Sequence, residues 1–228
     1  MIGGKQITVY RHVGNLKISY VNTNKVTKLI QWLESEYGEM HGSRRKRNDY
    51  LGMSLDYSIT GEVRISMEEY LRGVLNDLPE KIIETPETPT TSNLFNFRED
   101  SERELIDKTR AHAFHHTVAQ LLLTRIRFRK DTQTAIAFLL TRMRKPDKDY
   151  WKKLTISLSY LKRTIKLPLL LQADRVNVLK WSVDESYAAH DDMRGHIGGT
   201  MAMGKDGHGS IIIISKKQKL NTRSLTEA

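Results

Sequence analysis

Cysteine is absent from the 228 residues of this chain, which excludes disulfide bonds, thiol nucleophiles and thiolate metal sites. Long apolar runs are absent too, because the stretches at 167–171 and 211–214 are far too short to cross a bilayer. The first residues, MIGGK, do not form a secretory signal. These absences are typical of an intracellular protein, in the cytoplasm or the nucleus, without a membrane partner.

Acidic residues are outnumbered by basic ones. The chain has 37 Lys and Arg against 27 Asp and Glu, a formal net charge of +10. Such a balance favours polyanionic partners, with nucleic acid first and an anionic membrane surface second. The alternative from charge alone is a soluble basic protein that has no such partner.

Apolar periodicity divides the first 78 residues into strands and helices. Two alternating runs flank Gly14 and Asn15, which predicts a β-hairpin with its turn at these two residues. The first helix has N-cap candidates at residues 22–24 and a stop at Gly38. The predicted elements are strands at 7–13 and 16–21, a helix at 26–37, strands at 49–57 and 62–66, and a helix at 67–78.

Composition changes twice beyond this point. Residues 77–102 hold three of the five prolines and seven acidic residues against two basic ones, which predicts an acidic linker or extended surface loop. Residues 103–167 reverse the sign, with 16 basic and 5 acidic residues. Three amphipathic helices are predicted there: one at about 102–128, one after a cap at Asp131 and one after a cap at Asp149. Strands are then predicted at 167–172, 178–184, 195–203 and 210–215.

Seven short motifs follow one another in the order in which a copia-type LTR-retrotransposon polyprotein carries them. The chain resembles the C-terminal part of that polyprotein over nearly its whole length. The motifs are VGN at 13–15, YLGM at 50–53, FHHTVAQLL at 114–122, YLKRT at 160–164, SVDESYA at 182–188, SKKQ at 215–218 and SLTEA at 224–228.

The resemblance implies an α+β fold. It would contain the end of a polymerase palm with a helical thumb or connection, followed by an incomplete ribonuclease H-like α/β domain. The implied divisions are the palm end and start of the thumb at 1–78, an acidic linker at 79–101, a basic thumb and connection region at 102–166, and the N-terminal part of the ribonuclease H-like domain at 167–228.

The resemblance also implies which residues carry the chemistry. In the family the first hairpin bears two adjacent aspartates that bind catalytic Mg²⁺. Gly14 and Asn15 stand in their place here, so polymerisation is not expected. Asp184 and Glu227 match two carboxylates that hold Mg²⁺ for hydrolysis of the RNA strand in an RNA–DNA hybrid. The family's further aspartates would follow Glu227, and since the chain ends at Ala228 we expect an incomplete, inactive site.

Basic side chains of the helical region are the expected contacts to an RNA–DNA hybrid or a duplex. A merely solvated basic face is the alternative. The candidates for phosphate contacts are Arg125, Arg127, Arg129, Lys130, Arg142, Arg144 and Lys145.

Three histidines, His112, His115 and His116, lie within one predicted helix, where a metal site could form because residues four apart share a face. No acidic or cysteine ligand lies close by in the sequence, so a packing and hydrogen-bonding role is the preferred interpretation.

The expected function is that of a retrotransposon-derived RNA-directed DNA polymerase and ribonuclease H fragment that is catalytically inactive. One alternative is a non-catalytic protein that binds nucleic acid through the basic helices. The other is part of an element that retains ribonuclease H activity through Asp184 and Glu227.

Overall fold

Helices and antiparallel strands are both present, so the described part of the chain is α+β. The structure is a computed structural model and describes residues 4–80, 85–96, 98–172, 178–190, 192–203 and 209–219. Within these ranges the helices are α1 (Thr23–Tyr37), α2 (Glu68–Asn76), α3 (Lys108–Arg127), α4 (Gln133–Leu140) and α5 (Lys148–Arg163). The strands are β1 (Thr8–His12), β2 (Asn15–Ser19), β3 (Arg47–Tyr50), β4 (Met53–Asp56), β5 (Glu62–Ser66), β6 (Leu169–Gln172), β7 (Lys180–Ser186), β8 (His196–Ala202) and β9 (Ile212–Lys217). They form three sheets, in the orders β1-β2, β3-β4-β5-β6 and β7-β8-β9.

The first hairpin contains the two predicted strands, but its turn begins one residue earlier than predicted. His12 pairs with Asn15, so the turn begins at Val13, which has a φ of 52°. This register places Val9 opposite Ile18, an apolar cross-strand pair. The pair stabilises a register that holds a β-branched residue in the unfavourable left-handed region.

Helix α1 begins and ends where its caps predict. The side chain of Asn22 accepts hydrogen bonds from the backbone N–H groups of Asn24 and Lys25, at 3.0 and 3.3 Å. The helix ends at Gly38, whose φ of 88° suits glycine. Every residue of α1 is described and none is buried, so this helix contributes little to the core.

The prediction of one strand at 49–57 is wrong, because the segment folds as a second hairpin, β3 and β4. Its turn residues are Leu51 and Gly52, with φ values of 52° and 75°, and a type I′ turn requires a positive φ at both positions. The YLGM motif is therefore a turn. Strand β6 pairs with β5, with Ile65 opposite Leu169. Strand β6 lies in the range 167–228 that was predicted as the start of the ribonuclease H-like part. In the structure it is instead the fourth strand of the sheet that begins with β3 and β4.

The hydrophobic core lies among helices α2 to α5, as their apolar periodicity predicts. Its fully buried side chains include Leu71, Phe114, Val118, Leu121, Ile136, Phe138, Leu139 and Leu161. None of the described helices is long and apolar enough to cross a bilayer.

Two of the predicted helix caps are wrong. Helix α5 is capped by Asp147, whose carboxylate accepts a hydrogen bond from the backbone N–H of Tyr150 at 2.9 Å, and Asp149 lies in the first turn. Asp131 lies in a 3-10 turn before α4, where its carboxylate binds the guanidinium of Arg129. Two carboxylates stand near the start of α5, and the one before α4 is held by Arg129, so the sequence alone does not show which carboxylate is free to cap.

The acidic segment predicted at 79–101 is an extended loop that packs on α5. Its described residues form no helix or strand apart from a 3-10 turn at the end. Leu94 is buried, and the hydroxyl of Ser157 on α5 donates a hydrogen bond to the carbonyl of Pro89 at 2.8 Å. These contacts make the loop part of the core rather than a free connection.

Strands β7, β8 and β9 form an antiparallel meander with β8 in the centre. Asp184 on β7 lies opposite Gly198 on β8, which lies opposite Ser215 on β9. Residues directly opposite one another share a face of a sheet, and this face packs against α4. The other face carries Trp181 and Val183, which are 55% and 74% exposed.

Candidate functional site

Gly14 and Asn15 of the first hairpin offer no anionic ligand for a metal ion. Gly14 and Asn15 are exposed, and neither side chain bears a charge. A charged group reaches this turn from β1, where Nε of Arg11 donates to the carbonyl of Val13 at 3.4 Å. A cation at this position disfavours Mg²⁺, which requires anionic oxygen ligands.

A cavity of about 270 Å³ lies between the third sheet and the start of α4, and Asp184 lines it. The sequence placed Asp184 at the end of a strand, and the structure places it two residues before the end of β7. The carboxylate is exposed. The lining residues are Lys130, Gln133, Thr134, Ser182, Val183, Asp184, Gly198, Gly199, Thr200, Ile213 and Ile214.

The described residues of this cavity do not fit a pair of magnesium ions. Two-metal hydrolysis needs several converging carboxylates, and here Asp184 is the sole carboxylate among the lining residues, with Lys130 as the cation. Glu185 follows in the strand and so points to the opposite face, where it binds Gln218. In the ranges that the structure covers, no three His, Asp or Glu side chains form a metal-binding group. Glu227 lies outside the described residues.

We expect the chain to leave the RNA of an RNA–DNA hybrid uncut in the presence of Mg²⁺, because one carboxylate beside a lysine cannot hold two metal ions. Gel analysis of an end-labelled hybrid tests this, with an active ribonuclease H as the positive control. The Asp184→Asn variant should give the same uncut substrate. Cleavage by the unmodified chain that Asp184→Asn abolishes would contradict the expectation.

One of the seven predicted phosphate contacts is wrong. Arg129 is 1% exposed, and its guanidinium makes a bidentate pair with the carboxylate of Asp131, at 3.0 and 2.6 Å. It also donates to the carbonyl and hydroxyl of Thr164. A side chain buried in this way cannot reach a phosphate, and its charge is balanced within the fold.

Four further candidates are half-buried: Arg125, Arg127, Lys130 and Arg142. Arg127 donates to the carbonyl of Leu51, and the ammonium of Lys130 donates to the carbonyl of Ile126 at 2.5 Å. Burial lowers the pKa of Arg125 and the pKa of Lys130. These four side chains are therefore less accessible to a phosphate than fully exposed ones.

The remaining two candidates, Arg144 and Lys145, are exposed, and Lys152 in the first turns of α5 joins them. We call these three residues the α5 basic surface. Among the residues that the structure covers, no carboxylate forms an ion pair with any of the three. Lys148, which lies between them in sequence, pairs with Glu104. Of the predicted nucleic-acid contacts, those in the α5 basic surface are the ones free to bind a phosphate.

The three histidines of α3 do not have the predicted packing role. His112, His115 and His116 are all exposed, and the rings of His112 and His116 stack with their centroids 6.5 Å apart.

Sequence reasoning missed a buried polar cluster formed by His190, His196 and Ser215. Nε2 of His190 lies 3.0 Å from Nδ1 of His196, and Nε2 of His196 lies 2.7 Å from the hydroxyl of Ser215. All three residues are buried. They come from a turn and two strands, at irregular spacing, so no periodicity in the sequence signals the cluster.

Comparisons of this chain with models of protein families, with curated proteins and with solved structures found no match. The resemblance to a copia-type polyprotein therefore rests on the seven sequence motifs.

Proposed function

We propose that the chain derives from the reverse transcriptase and ribonuclease H of a copia-type retrotransposon and binds an RNA–DNA hybrid or duplex without catalysing polymerisation. The observation that carries the proposal is the α5 basic surface, three exposed cations without carboxylate partners among the described residues. Each such cation can displace condensed counterions from a phosphate backbone, which favours binding.

The third sheet and the first hairpin support the ancestry in this proposal. A three-stranded antiparallel meander with Asp184 in its first strand is the arrangement expected for the opening of a ribonuclease H-like domain. A tight hairpin with Gly14 in its turn and Asn15 at the start of its second strand is compatible with a palm hairpin that has lost its aspartates. Binding would then remain after the chemistry has gone, because it needs only surface charge.

Replacing both Arg144 and Lys145 with glutamine should weaken binding to a short RNA–DNA hybrid and reduce its salt dependence. Each neutralised phosphate adds about −0.7 to −0.9 to the slope of log K against log salt, so loss of two contacts should lower the magnitude of the slope by roughly 1.4 to 1.8. Fluorescence anisotropy at several salt concentrations measures both quantities.

The matched control for this experiment removes the same charge elsewhere. Lys25 and Lys28 are exposed on α1, and the variant Lys25→Gln with Lys28→Gln should keep nearly the slope of the unmodified chain. Equal losses in the two variants would show that net charge alone governs binding. Unmodified protein that fails to bind the hybrid at low salt would overturn the proposed function.

A further inference from the structure

We propose that His190 and His196 form an acid-sensitive latch that holds the three-stranded sheet against helix α4. The latch does not depend on the proposed nucleic-acid binding, because its hydrogen bonds involve His190, His196, Ser215 and Thr134 and none of the residues of the α5 basic surface.

A chain of hydrogen bonds crosses from the sheet to the helix. It runs from His190, in the turn after β7, to His196 on β8 and then to Ser215 on β9, over 3.0 and 2.7 Å. The hydroxyl of Ser215 donates to the hydroxyl of Thr134 on α4 at 3.3 Å. Hydrogen bonds through two imidazole rings thus connect the turn after β7, β8 and β9 to helix α4.

Aromatic side chains enclose the two rings. Phe138 of α4 stacks on His190 with the ring centroids 6.1 Å apart, and Phe95 of the acidic loop lies 5.0 Å from the ring of His196. His190 is 1% exposed and His196 is 6% exposed, so water cannot solvate a charge on either ring.

The hydrogen-bond directions leave no place for an additional proton. Since the hydroxyl of Ser215 donates to Thr134, it accepts from Nε2 of His196, and Nδ1 of His196 must then accept from Nε2 of His190. A proton on Nδ1 of His196 would place two N–H groups face to face. A proton on Nδ1 of His190 would meet no acceptor, because that atom is buried without a partner among the described residues.

The surrounding charges also oppose protonation. Burial is the first cause that lowers the pKa of His190 to about 4, and His196, Lys217 and Arg142 lower it further while Asp192 raises it. Burial likewise lowers the pKa of His196. Asp192 is shared with other cations, since it pairs with Lys217 at 2.7 Å and with Arg194 at 3.4 Å. The charged groups that face the two rings are Lys217 of β9, Arg142 after α4, Asp192 of the same turn, and Lys153 of α5 across the ring of Phe138.

The sign of the pH dependence follows from these directions. The histidine pKa in the closed state lies below the ordinary value of about 6.5, so the open state binds more protons between the two values. The latch is therefore fully closed above about pH 6.5 and weakens as the pH falls toward 4. For one histidine with these two pKa values, the open population at pH 5 should rise roughly thirty-fold relative to pH 7.5. Opening would expose the face of the sheet that carries Asp184.

Amide hydrogen exchange of the full chain at pH 7.5 and pH 5, corrected for intrinsic exchange rates, tests the latch. Protection of amides in β8 and β9 should fall by an order of magnitude or more at pH 5, while protection in α3 is retained. A variant with His190→Gln and His196→Gln should show no such pH dependence. The matched control, His112→Gln with His116→Gln on the exposed face of α3, should behave like the unmodified chain.

Three results would overturn the latch: unchanged protection of β8 and β9 at pH 5, an equal loss in α3, or a control variant that removes the pH dependence. Where the double variant fails to fold, NMR titration of the imidazole rings in the unmodified chain decides the question. A His190 ring that titrates below about pH 5 supports the latch, and one that titrates near the ordinary value of about 6.5 contradicts it.

Discussion

Replacing Asp131 with asparagine should lower the free energy of unfolding by about 3 kcal/mol. The guanidinium of Arg129 is fully buried, and this carboxylate is its counter-charge at 2.6 Å. Asparagine keeps the size of the side chain but leaves the cation buried without an anion. The hydroxyl of Tyr160, which donates to the same carboxylate at 2.7 Å, loses its charged acceptor as well. Urea denaturation followed by circular dichroism measures the loss.

The acid dependence of Asp131 provides a second readout. Desolvation raises its pKa, but the hydrogen bond and charge of Arg129 outweigh that effect, so the pKa in the folded state is lowered. A lowered folded pKa gives stabilisation that is complete above the unfolded pKa of about 4 and is lost as the pH falls below it. The asparagine variant should lack this part of the acid dependence.

A solvent-exposed ion pair serves as the control for Asp131. Glu104 pairs with Lys148, and both side chains are more than half exposed, so Glu104→Gln should leave the unfolding midpoint nearly unchanged. Equal midpoints for the two variants would show that the Arg129 pair is not a stabilising buried contact.

Replacing Phe138 with alanine should lower the free energy of unfolding by about 3 to 5 kcal/mol. The side chain is fully buried, and its ring contacts the rings of Phe95, Tyr150 and His190, with centroids 5.4, 6.0 and 6.1 Å away. Its removal leaves a cavity where the acidic loop, α4, α5 and the turn after β7 meet. Thermal or urea unfolding of the full chain measures the change.

Two substitutions calibrate the effect at Phe138. Phe138→Leu retains much of the apolar volume and should cost clearly less than the alanine variant. Tyr37→Ala removes an aromatic ring that is 76% exposed at the end of α1, and its effect should be small. Similar losses for Phe138→Ala and Tyr37→Ala would contradict the central position of this ring in the core.

Local signals predicted the approximate positions of the five helices and the two strands of the first hairpin. Helix α1 has its N-cap at Asn22 and its end at Gly38 because both signals act within one turn of the helix. Signals that depend on distant partners failed. Strand β6 is a short apolar run, LLLQ, and nothing in it shows that its partner is β5, about one hundred residues earlier. The carboxylate of Asp131 matched a cap locally but is held by Arg129 and Tyr160.

In the candidate site, too, some features could be predicted from the sequence and others depend on tertiary packing. The absence of charge at Gly14 and Asn15 can be read directly from the sequence, and so can the position of Asp184 in a strand. Counting charges identified the basic region. It could not show that Arg129 is buried in an ion pair with Asp131 while Arg144 is exposed to solvent. That distinction depends on which residues the packing of α3, α4 and α5 buries.

The pairing of β5 with β6 constrains the order in which the chain can fold during synthesis. Ile65 meets Leu169, so the sheet closes a loop of about one hundred residues, and contacts of such long range form late. Helices α2 to α5 lie within this loop and can assemble through contacts of shorter range. During synthesis the edge of β5 that pairs with β6 would therefore stay unpaired until β6 has left the ribosome. In that interval this edge can pair incorrectly with a strand of another chain.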